Sequence, residues 1–155
     1  MSQLMLGEHQ LGTATLVSRT SLTAPTTDTL KAALYLASAT VNASTTVYSA
    51  SNEVSGTGYT AGGVTITGSP AWNAPTATNT SITAGTAFTT PTASITYTTV
   101  TLSTAFDSVL IYNSTQSNKS VSVHTFGSQT ITAGTFTLTM PANTTAAALL
   151  RIATT

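Results

Sequence analysis

Few residues in this chain could carry chemistry. Four acids (Glu8, Asp28, Glu53, Asp107), four bases (Arg19, Lys31, Lys119, Arg151) and two histidines (His9, His124) stand singly along 155 residues, and cysteine is absent. A metal site would have to draw on Glu8, His9, Glu53, Asp107 or His124. Only Glu8 and His9 are adjacent, and none of the others falls at ligand spacing. His124 and Asp107 would combine with any serine into a Ser-His-Asp set on paper. No Gly-x-Ser-x-Gly elbow frames such a nucleophile, and the plainer reading makes His124 a strand residue beside Phe126. Glu53 and Asp107 could be cast as the carboxylate pair of a glycosidase, yet no flanking motif supports the pairing. No catalytic, cofactor-binding or metal-binding set emerges, so the chain reads as non-enzymatic, with no cofactor.

The stretch Ser51–Gly68, SNEVSGTGYTAGGVTITG, holds five of the ten glycines and is the natural place to look for phosphate chemistry. A Walker loop needs Lys and Ser or Thr after its last glycine, to reach the phosphates and Mg²⁺. Here Gly62 and Gly63 are followed by Val64. A dinucleotide fingerprint needs a third glycine where Ala61 stands, and a helix where VTIT reads as a strand. The glycines are better explained as turn residues in a chain dominated by β-branched side chains.

Aromatic side chains are the remaining candidates for recognition. Trp72 sits in a loop flanked by Pro70 and Pro75, and Tyr59 and Tyr97 accompany it as possible partner contacts. A sugar-stacking platform, an anchor at a protein interface, and a ring that pins its own loop are three readings of Trp72, and all stay open.

The elements that must position these residues follow from composition. Only 5% of the chain is charged and the net charge is zero, against about 25% charged in ordinary domains. No basic stripe exists to neutralise phosphates, which argues against nucleic acid, and no basic amphipathic helix addresses a membrane surface. The start, MSQLMLGEHQLG, lacks the basic flank and apolar run of a secretion signal, so the five Asn-x-Ser/Thr sequons read as unmodified. Thr makes up about a quarter of the residues. Its branched Cβ suits a pleated, half-buried surface. A surface of hydroxyls and methyls with no net charge favours packing against copies or partners, which points to an assembly subunit.

Residues 1–29 lack sustained periodicity and read as an N-terminal arm, with a short strand around Thr13–Val17. Residues 30–155 read as one domain. LKAALYLAS is taken as a strand, and VTITG as another with Val64 and Ile66 inward. SITYTTVTLS alternates at Ile95 and Tyr97, then changes parity to Val100 and Leu102, which predicts a β-bulge at Thr98–Thr99. FDSVLIYNS is a continuous apolar run, as in a central strand covered on both faces. SNKS is a turn. SVSVHTFG places Val121 and Val123 opposite to His124 and Phe126, and GTFTLTMP alternates Phe136, Leu138 and Met140 with Thr. AAALLRIAT closes the chain as a strand or a helical turn. Seven to nine short strands predict an all-β, β-sandwich or jelly-roll-like fold.

Two blocks together resemble small virion structural proteins of tailed bacteriophages. They are LKAALYLASATVNASTTVYSASNEVSGTGYTAGGVTITG and FDSVLIYNSTQSNKSVSVHTFGSQTITAGTFTLTMPANTTAAALLRIA. The resemblance covers roughly residues 30–153, and its most specific part is the string from Asn52 to Gly63. Members of that group look like head decoration, head–tail or tail components. The resemblance implies a capsid decoration or cement protein on the virion surface, made in the host cytoplasm. It implies the major capsid protein as partner, and a homo-oligomer with a trimer favoured. A tail or fibre component, including a glycan-binding host-recognition module, is the alternative. The chain departs from the group in its arm, which lacks a helical lead-in, and in Ser69–Ser103, which is richer in Thr and poorer in acid.

Overall fold

The computed structural model describes residues 28–67, 76–77 and 85–154. The expected arm, apart from its last two residues, lies outside these, as do Trp72 and much of the Pro-rich stretch 69–92. Among the described residues the chain is all-β. Its strands are β1 (Leu30–Leu36), β2 (Val64–Thr65), β3 (Thr76–Ala77), β4 (Gly85–Thr89), β5 (Ile95–Asn113), β6 (Lys119–Leu138) and β7 (Leu150–Thr154). Every pairing between them is antiparallel. The chain divides into two compact units, residues 29–66 with 95–138, and residues 1–28 with 67–94 and 139–155.

The first of these units is a four-stranded sheet in the order β2-β1-β5-β6. β1 is buried on both faces, with Ala32, Ala33 and Leu34 fully covered, which explains why its apolar residues fit alternation and a helical stripe equally well. One face gathers Ala33, Tyr35, Leu110 and Tyr112, against which Ala39, Val41, Tyr48 and Val123 pack. Another cluster is aromatic. Phe106 meets Phe136 edge-on at 5.1 Å and Phe126 at 6.0 Å, while Phe136 reaches Tyr97 at 6.0 Å. Residues after β1 do not continue as a strand. They form bends and turns tied down at isolated points, among them a bridge from Val47 to Lys119.

β5 and β6 are far longer than the short strands expected from the sequence, at 19 and 20 residues. SITYTTVTLS and FDSVLIYNS are one strand, and so are SVSVHTFG and GTFTLTM as far as Leu138. Irregular pairing, rather than turns, absorbs the breaks in pattern. The bulge expected at Thr98–Thr99 is present: Tyr97 pairs Phe136 and Val100 pairs Gly134, so β5 advances three residues against two. Thr99 takes a positive φ of 54° there. In the Thr-Ala-Gly at 132–134, Ala133 rather than the glycine carries the positive φ, at 47°, and β6 runs through it. The hairpin closes over residues 114–118. Asn113 Oδ1 accepts from the amides of Thr115 and Gln116, both at 3.1 Å, and Ser117 and Asn118 adopt left-handed φ.

The other unit is a three-stranded sheet in the order β3-β4-β7. The chain end resolves both sequence readings in succession, with a turn at 145–147 followed by β7. Arg151 Nη1 donates to the carbonyls of Thr145 at 3.1 Å and Ala146 at 2.8 Å, closing that turn. Thr90 is buried, and its Oγ1 accepts from the amide of Leu149 at 3.0 Å.

Candidate functional site

The most concentrated chemistry in the described residues surrounds Glu53, within the glycine-rich string. Its backbone forms an isolated bridge with Tyr35 of β1. On either side, the amide of Val54 donates to Leu34 O at 2.9 Å, and the amide of Leu36 to Asn52 O at 3.0 Å. This pins the carboxylate beneath the turn that follows, where it is 9% exposed. Oε2 accepts the phenol of Tyr48 at 2.6 Å. Oε1 accepts the phenol of Tyr59 at 2.7 Å and the amide of Gly62 at 2.8 Å. A buried carboxylate is tolerated only when donors of this kind replace water.

All five tyrosines of the chain belong to this neighbourhood. Tyr59 Oη also accepts the amide of Leu34 at 3.0 Å. Tyr112 donates to Gly62 O at 2.8 Å, Tyr97 to Ala32 O at 2.8 Å, and Tyr35 to Ser49 O. Tyr48 stacks on Tyr112 with centroids 4.6 Å apart, and Tyr59 on Tyr97 at 5.9 Å. Each phenol is pushed above its ordinary pKa, first by burial and further by the nearby Glu53 charge. They therefore stay protonated and act as donors, not nucleophiles. The cluster is a closed hydrogen-bonded lock in which Glu53 has its oxygens taken by three donors.

The glycines let the string lie against the sheet. A Cβ on Gly63, whose φ is +70°, would fall 1.7 Å from Ala32 O, and one on Gly56 would fall 2.1 Å from Thr101 O. No side chain fits at either place. The turn reading from the sequence holds, and close backbone approach to β1 and β5 is added to it.

The expected contact residues separate. The structure brings Tyr59 and Tyr97 together: Tyr97 is 1% exposed and Tyr59 half-buried, and both phenols are hydrogen-bonded inside the unit. Trp72 lies outside the described residues. His124 Nε2 lies 2.9 Å from Ser122 Oγ, and burial lowers its pKa. It pairs in register with Val109, not with Asp107. Among the described residues no group of three or more His, Asp or Glu side chains gathers into a metal site.

Sequence reasoning missed Glu53 as an organising residue. The signal was there in outline, because Tyr48, Glu53 and Tyr59 are spaced five and six apart around one of four acids. Nothing in the spacing told that the three would fold onto one point.

The surface offers a different feature. β6 is the last strand of its sheet. Among the described residues its outer edge is covered only at the start, where the amide of Tyr48 donates to Asn118 O at 2.9 Å and the amide of Ser120 to Thr46 O at 3.0 Å. Beyond Ser120 no described strand pairs with that edge. Compared with protein-family models, with curated proteins and with solved structures, the chain matches none.

Proposed function

We propose that this chain is a non-enzymatic structural subunit of a tailed-phage particle, a decoration or cement protein that binds the major capsid protein shell and associates with copies of itself. The observation that carries the reading is the string Asn52–Gly63, the most specific part of the resemblance to phage virion proteins. In this fold its one acid, Glu53, and its one tyrosine, Tyr59, are spent on holding the sheet together. The chain that would meet a partner is rich in threonine hydroxyls and methyls, with 5% charged residues and zero net charge. Adhesion by many copies suits such a surface, because modest interfaces add through avidity. A glycan-binding role draws less support, since Tyr59 and Tyr97 turn their rings into the unit.

Counting copies of the chain in purified particles by quantitative mass spectrometry tests the proposal. Hundreds per particle, removed and restored without loss of the shell, is the expected result. A ring of a few copies at the head–tail junction or in the tail would replace decoration with the tail reading.

A further inference from the structure

We infer that the outer edge of β6, between Val121 and Thr130, is a strand-pairing surface for a second copy of this chain, forming a twofold contact. The inference deepens the self-association in the reading above and rests on it only to that extent.

An unpaired strand edge presents amide donors and carbonyl acceptors that another strand can satisfy. Among the described residues β6 has such an edge past Ser120. There the side-chain amide of Gln129 turns back to Gly127 O at 3.0 Å, satisfying a carbonyl of its own strand. Native edges are usually guarded by lysine, inward charge or proline. From Ser120 through Leu138 the sequence has no Asp, Glu, Lys, Arg or Pro, and Lys119 stands only at the end already covered by Thr46–Tyr48. Register shifts interrupt the strand around Phe126–Ser128. Ser122–Thr125 still pairs residue for residue with Ile111–Ser108, so a regular run of edge remains.

Burial points the same way. Val121, Val123 and Phe126 are only half-buried on β6, so a strand laid alongside would finish covering them. The occupant is chosen by charge. A neutral, hydroxyl-rich edge compensates no charged partner strand, but it meets its own copy with no like charges opposed. Antiparallel pairing about a twofold axis also asks for one segment that complements itself, and β6 is such a segment. This symmetry differs from the trimer that the resemblance suggests.

The test is sedimentation of the full chain across a concentration series, with three proteins compared. The unaltered chain is expected to sediment as a dimer, and amides of Val121–Thr130 to gain protection from hydrogen exchange as it forms. Thr125→Lys with Thr130→Lys, at exposed positions of β6, should weaken association at least tenfold while leaving the circular dichroism unchanged. Thr96→Lys with Thr98→Lys, at exposed positions of β5, adds the same charge away from the edge and should leave the dimer intact. A monomer at every concentration, a discrete trimer, or equal association of the two lysine variants would each overturn the inference. Particle binding is measured separately, so loss of capsid binding with the dimer retained would count against decoration alone.

Discussion

β5 and β6 belong to one hairpin, differ by one residue in length, and draw on the same vocabulary of Thr and apolar side chains. β5 buries Ile95, Tyr97, Val100, Leu102, Phe106 and the run Val109–Tyr112 almost completely. No apolar side chain of β6 is more than half-buried. The difference is position in the sheet: among the described strands β5 has β1 on one side and β6 on the other, whereas β6 past Ser120 has a partner strand on one side alone. Interior strands hold the fold, and an edge strand with the same composition is free to meet something else. The glycine-rich string belongs to the first category, because it lies on β1 and β5.

The sharpest way to break that contrast is with a methyl group. Gly56→Ala drives a Cβ into Thr101 O of β5, whereas a Cβ on Gly127 of β6 meets nothing within 4 Å. We expect Gly56→Ala to cost several kcal/mol or abolish folding, since backbone must move. Gly127→Ala should be neutral or stabilise by about 0.5 kcal/mol through the unfolded chain. Urea titration of the two variants checks this, and similar costs would end the comparison.

Truncation in the core comes next. Leu110→Ala on β5 should cost about 3 kcal/mol by transfer and cavity formation, and Val123→Ala on β6 about 1 kcal/mol, because Val123 is already part-solvated. Chemical denaturation midpoints at constant slope would show the gap.

Glu53→Gln tests the lock that holds the string against β5 and β1. An amide replaces one acceptor oxygen with a donor, so a phenol or the Gly62 amide is left facing another donor. A loss of about 2 kcal/mol is expected, read from thermal or denaturant unfolding. An unchanged midpoint would mean that Glu53 holds nothing together.

The tyrosines give a pH signature of the same lock. In the unfolded chain a phenol ionises near its ordinary value of 10.0, and in the folded chain Tyr48, Tyr59 and Tyr97 hold their protons well beyond it. Above that pH the unfolded state releases protons the native state keeps. Stability is therefore full below about pH 10 and falls as pH rises further. Unfolding free energies measured from pH 8 to 11 should decline only in the upper part of that range. The phenol absorbance of the native protein should titrate late.

Much of this was legible from residues. The parity change from Tyr97 to Val100 located a bulge, because side chains alternate with period two and one extra residue must be hidden somewhere. The apolar run Val109–Tyr112 announced an interior strand. Strand length was not legible. In the sequence pattern Gly127 ends one strand and Gly134 starts the next, yet the hairpin runs through both. A local turn signal is weaker than a ladder of hydrogen bonds already formed with a neighbour. The burial of Tyr97 was not legible for a related reason, since an aromatic ring in an alternating strand suits an interface and a core equally.

By itself, then, the sequence determined the class: an all-β chain of low charge. Those properties are additive over residues and their nearest neighbours. Only the tertiary structure decided that Glu53 meets Tyr48, Tyr59 and Gly62 at one point, that Gly56 and Gly63 must lack side chains, and that β6 rather than β5 lies at the edge. Each depends on which strand pairs with which, a long-range choice set by the whole sheet and not by any local stretch.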